Sequence, residues 1–91
     1  MKVVLIQLPV QSLDYEYSRE NIPLAPGYLA AYAACAGIEV EICPPAVASL
    51  AGDAALLEWI CLREPDLVGF ATYLWNSARV VYLCRALRER L

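Results

Sequence analysis

The chain contains no histidine. That absence removes Ser-His-Asp and Cys-His nucleophilic systems, which need an imidazole base. It also removes every metal site built on imidazole nitrogen. The four cysteines, Cys35, Cys43, Cys61 and Cys84, stand 8, 18 and 23 residues apart. No CxxC pair occurs, so zinc-finger and iron–sulfur spacings are missing. Each cysteine sits in an apolar setting such as "YAACAG" or "YLCRAL", which predicts buried free thiols packing as small hydrophobes. Glycine is scarce, with 4 in 91 residues. The segment "QLPVQS" after the first apolar run has none, so neither a dinucleotide GxGxxG nor a Walker A loop can be drawn there.

Charge is also sparse, at 19% of residues, with a net charge of −3. The only basic cluster is Arg85, Arg88 and Arg90. It falls in the last turns of an expected helix, where cations complement the dipole. Nucleic acid is therefore not expected as a principal partner. No stretch of about 18 residues is uninterruptedly apolar, as a spanning helix requires. The Ile22–Gly37 segment carries Pro23, Pro26 and two glycines, and Ile42–Gly52 carries Pro44, Pro45 and Gly52. The N-terminus lacks a signal-peptide core and cleavage pattern. A cytoplasmic protein is expected.

What the chain does have is apolar surface. Hydrophobic residues make up 60% of it, and the mean hydropathy is +0.49. That share is high for one small domain. It predicts apolar faces covered by something beyond this chain.

"KVVLIQL" is a continuous β-branched run, the habit of a strand buried on both faces of a parallel sheet. A long polar and aromatic loop follows, carrying Pro9, Gln11, Ser12, Asp14, Tyr15, Tyr17, Arg19, Glu20 and Asn21. "PGYLAAYAACAG" reads as a helix, with Pro26 at its first position and Gly37 as its stop. "IEVEIC" alternates and fits a more exposed strand. "PPAVASLAG" reads as a loop. "DAALLEWICLREP" reads as a helix opened by Asp53 and closed by Pro65. Its apolar stripe is Leu56, Leu57, Ile60 and either Trp59 or Cys61. "DLVGFAT" is a third strand. Asn76 or Ser77 can cap a last helix, on which Val80, Leu83, Cys84, Leu87 and Leu91 recur at helical spacing.

The spans expected are strands at about 2–8, 38–43 and 66–72, and helices at about 26–36, 54–64 and 77–90. The βαβαβα order with short connections requires parallel strands and right-handed crossovers. The fold class is therefore α/β, Rossmann-like or flavodoxin-like, with a three-stranded sheet in order 2-1-3. Residues 1–91 form one domain, expected to be an incomplete one. An apolar third strand at an edge is a liability that complete proteins cover. A homodimer through that edge is one expected remedy.

In such sheets, ligands bind beyond the carboxyl ends of the strands, where the strand order reverses. Two segments line that crevice: the loop after Leu8 and "TYLWN", Thr72–Asn76. Candidate binding residues are Gln11, Ser12, Thr72, Tyr73, Trp75 and Asn76. Aromatic and small polar groups there suit a large, flat, partly polar ligand. Tyr73 and Trp75 suit an interdomain or dimer seam as well, and Asn76 suits a helix cap. No phospho-acceptor aspartate ends the third strand, and no catalytic pair can be assembled.

"KVVLIQLP", "NIPLAPGYLAAYAACAGIEVEI" and "PDLVGFATYLWN", in that order and spacing, resemble the N-terminal cobalamin (B12)-binding domain of B12-dependent radical SAM proteins. The resemblance covers nearly all of the chain. It implies a Rossmann-like unit holding cobalamin at the carboxyl edge of its sheet. It further implies a downstream radical SAM domain, with a CxxxCxxC-ligated [4Fe–4S] cluster and S-adenosylmethionine. That motif does not occur in this sequence. Many cobalamin proteins carry DxHxxG after the first strand. Here Asp14 opens "DYEYSR" and there is no histidine, so a histidine-ligated cobalt is excluded within the chain. The resemblance thus implies a binding module whose catalysis lies elsewhere. The alternative reading is a catalytically silent α/β interaction or dimerisation module.

Overall fold

The computed structural model describes residues 1–9 and 21–91. The elements run β1 (Lys2–Gln7), α1 (Leu24–Cys35), β2 (Glu39–Ile42), α2 (Pro45–Leu50), α3 (Asp53–Cys61), β3 (Leu67–Ala71) and α4 (Ser77–Arg90). The strands form one sheet in the order β2-β1-β3. Both pairings are parallel, with Val4 beside Glu41 on one flank and Val68 on the other. The expected α/β class and 2-1-3 order are the observed ones.

The continuous apolar run of β1 suits its central place, because both its faces are covered. Val4, Ile6 and Leu8 point into the main core with Leu56, Leu57 and Ile60 of α3 and Val80, Leu83 and Leu87 of α4. The alternate face carries Val3, Leu5 and Gln7, and here α1 lies over β1 and β2. β2 is an outer strand, with Glu39 exposed and Val40, Glu41 and Ile42 half-buried. A clamp ties it to α3. Arg63 Nε meets Glu41 Oε2 at 2.8 Å, and the Arg63 guanidinium sits 3.4 Å over the Trp59 ring. Trp59 is accordingly half-buried against the core, in the company of a cation.

Turn chemistry sets the ends of α1. Gly37 adopts φ 74°. Its N–H donates to Ala34 O at 3.1 Å and that of Ile38 to Ala33 O at 3.1 Å. These paired bonds form a Schellman motif, and glycine supplies the left-handed residue without a Cβ clash. At the other end the helix starts at Leu24, two residues before the expected Pro26. Proline is tolerated there because first-turn N–H groups have no intrahelical partner.

Two expectations are corrected. Pro45–Leu50 is a short helix, not a loop. Pro45 occupies the first helical turn, and the N–H groups of Val47 and Ala48 both donate to Pro44 O, at 2.9 and 3.0 Å. Ala48 drops into the core, and six residues are too few to print a helical period. The four cysteines are free as expected, but only Cys43 is buried; Cys61 is half-buried, and Cys35 and Cys84 are exposed. Cys84 stands one position off the buried Leu83–Leu87 stripe. On α1 only Pro26 is buried, so Cys35 looks outward with Tyr28 and Tyr32, which are 72% and 81% exposed. Among the described residues, no helix is long and apolar enough to cross a membrane.

Candidate cofactor-binding site

β1 and β3 run in parallel with Gln7 beside Ala71, so both strands deliver their last residues to one edge. β2 lies on the other side of β1, which makes this the point where strand order reverses. The chain leaving β3 there is Thr72–Asn76, and none of these residues is charged.

Asn76 organises the segment. It is 2% exposed, the only buried polar residue among those described. Its Oδ1 accepts the Tyr73 N–H at 2.7 Å, and its Nδ2 donates to Ala71 O at 3.1 Å. The backbone returns the contact, with Asn76 N–H donating to Tyr73 O at 3.2 Å. Asn76 therefore occupies the N-cap position of α4, yet its side chain makes no capping bond. It turns back to satisfy two backbone groups at the end of β3. Burial punishes unpaired polar groups, and this amide satisfies one donor and one acceptor at once.

The pinned loop displays a stacked pair. The Tyr73 and Trp75 rings lie 4.8 Å apart between centroids and 10° from parallel. Leu74, between them in sequence, is 94% exposed, and Trp75 is 53% exposed. Two rings stacked in this way form a rigid apolar ledge open to solvent. Thr72 is exposed, and its hydroxyl donates to Phe70 O at 3.4 Å.

Across the crevice, Gln7 ends β1 with a polar side chain. Its Nε2 donates to Ile22 O at 2.8 Å and to Asn21 Oδ1 at 3.2 Å. Asn21 Nδ2 answers by donating to Gln7 O at 2.9 Å. This clasp closes the entry to α1 over the end of β1. It leaves Gln7 Oε1 buried with no hydrogen-bond partner among the described residues. This acceptor is enclosed, so a ligand could reach it only if the clasp with Asn21 opened.

Of the expected binding residues, Thr72, Tyr73, Trp75 and Asn76 come together on one loop. Tyr73 and Trp75 are presented outward, whereas both polar atoms of the Asn76 amide are engaged within the loop. Gln11 and Ser12 lie outside the described residues. Gln7 was not expected. Its sequence signal is a lone amide interrupting the apolar run "VVLIQL" just before the strand ends. The only thiol at this edge of the sheet is Cys43, after β2, and burial pushes its pKa from an ordinary 9.0 to about 11. It is thus a neutral packing group rather than a thiolate. Among the described residues, no three His, Cys, Asp or Glu side chains cluster to hold a metal ion.

No family profile, curated protein or solved structure matches the chain.

Proposed function

We propose that the chain is a cofactor-binding module that receives a corrin, cobalamin, at the carboxyl edge of its sheet. The observation that carries the reading is the stacked Tyr73–Trp75 pair, held open to solvent beside the switch point by a buried asparagine. A corrin brings its own four equatorial nitrogens, so its protein site needs a flat apolar contact and amide partners rather than a cluster of metal ligands. The ledge offers the first. Gln7 would offer the second, an acceptor for a peripheral amide N–H of the macrocycle, once its clasp with Asn21 opened. The sequence resemblance supports the same ligand. Bound cobalamin would supply organocobalt chemistry; Tyr73 and Trp75 would shield one part of it from water, and Gln7 would orient it. Catalysis would belong to a radical SAM domain carrying the [4Fe–4S] cluster and S-adenosylmethionine outside these 91 residues, in the cytoplasm.

The test is a titration with hydroxocobalamin in a Trp59→Phe background, where Trp75 is the sole indole. Quenching of Trp75, corrected for corrin absorbance, with corrin retained through desalting, is expected. Trp75→Ala should weaken retention by about tenfold, the scale of one aromatic stacking contact. Full Trp75 emission at saturating corrin would overturn the reading.

A further inference from the structure

We infer that two copies of this chain join through β3 and α4 about a two-fold axis, making one six-stranded sheet. This inference stands apart from the ligand of the ledge. It starts from the hydrogen-bonding pattern. Cys43 N–H donates to Leu5 O at 2.8 Å, so the odd residues of β1 serve β2 and its even residues serve β3. With Val4 beside Val68 and Ile6 beside Phe70, the N–H and C=O groups of Val68 and Phe70 point away from β1. Among the described residues, no strand pairs with that side. An open apolar edge is a template for another strand.

The helix above the edge is unfinished in the same direction. α4 buries Val80, Leu83 and Leu87. A second stripe, Val81, Cys84, Arg88 and Leu91, repeats at the 3- and 4-residue spacing of a helix–helix seam. Val81 is 49% and Leu91 56% exposed. Between stripe and edge runs a groove of about 460 Å³, lined by Val68, Phe70, Cys84, Leu87, Arg88 and Leu91 among others. A lone extended peptide would satisfy the strand edge and leave Val81 bare. The occupant must present a strand with a helix beside it, and a second β3–α4 unit is such an object.

The two-fold arrangement closes on itself. An antiparallel pairing centred on Gly69 sets Val68 opposite Phe70 of the other copy, twice, and satisfies all four outward N–H and C=O pairs of groups. The central Gly69 pair is then a non-hydrogen-bonded one, where Cα atoms approach to about 4.5 Å and the absence of a side chain is an advantage. α4 lies over the β1–β3 half of the sheet. Adding a strand at about 4.8 Å brings the two α4 helices to about the 8–10 Å at which helices pack. α4 runs back along β3, so its midpoint, Cys84, falls at the level of Gly69. The two Cys84 residues therefore meet near the axis, and Val81 of each copy faces Arg88 of the other.

Sedimentation equilibrium of the 91-residue chain, with bis-maleimide cross-linking, tests this. A dimer is expected, captured by a short cross-linker through Cys84 and lost in Cys84→Ser but not in Cys35→Ser. Val81→Lys should raise the dissociation constant on the order of tenfold or more, because it sets like charges together. Val81→Lys with Arg88→Glu should restore dimerisation, since the new lysine then faces a carboxylate. A monomer at all concentrations overturns the inference. So does a dimer indifferent to Val81→Lys, or one not captured through Cys84.

Discussion

Replacing Asn76 by alanine tests how the ledge is held. The change removes an acceptor 2.7 Å from the Tyr73 N–H and a donor 3.1 Å from Ala71 O. A buried group left unpaired costs about 1–3 kcal/mol. Tyr73 sits at a solvent edge, so water recovers part of its N–H, and the lower end of that range applies. The combined loss should be about 2–3 kcal/mol. A domain of this size has a total stability on the order of 5–14 kcal/mol. At about 4–8 °C per kcal/mol, the melting temperature should fall by about 8–24 °C. Urea titration followed by circular dichroism reads the stability, and Trp75 emission in a Trp59→Phe background reads the ledge. Asn76→Asp should not rescue the loop: it keeps the acceptor for the Tyr73 N–H but sets a carboxylate oxygen against Ala71 O, in a site only 2% exposed. An Asn76→Ala protein with the parent urea midpoint and unchanged Trp75 emission would refute the account of the loop.

Three further outcomes follow from other parts of the fold. Cys43 titrates near 11 in the fold against 9.0 for an ordinary thiol. Above the ordinary value the unfolded chain releases this proton while the folded chain holds it. Stability should therefore be unaffected by Cys43 below about pH 9 and fall as pH rises toward 11; Cys43→Ala should lack that slope in denaturant titrations across the same window. At pH 8, Cys35, which is exposed and lies away from α4, should react with iodoacetamide well before the buried Cys43. Glu64, just before Pro65, is held at φ 48°, where a side chain is strained. Glu64→Gly should stabilise the protein by about 0.5–1 kcal/mol, measured as a raised urea midpoint with unchanged slope.

The order of the strands and the two faces of the sheet were legible because they follow from periodicity and handedness. "KVVLIQL" could only be central, and right-handed crossovers then place β2 and β3 on opposite flanks. The stripe Leu56, Leu57 and Ile60 was readable for the same reason. Pro45–Leu50 was not, because two prolines and one turn of helix leave no period. The exposure of Cys84 was not readable either. Its spacing fits the apolar side of α4, and one step of about 100° along a helix separates the buried face from the seam.

Sequence alone thus decides this protein's sheet order, its layers and the edge at which a ligand site can lie. Those depend on repeating local patterns and on backbone chirality. Tertiary structure decides what occupies that edge. The Asn76 amide turns back to Ala71 and Tyr73 rather than forward into α4, Tyr73 and Trp75 close into a stack, and Gln7 directs its amide N–H groups to Asn21 and Ile22. Each outcome is a choice among partners that only packing brings within reach, and no periodicity along the chain encodes it.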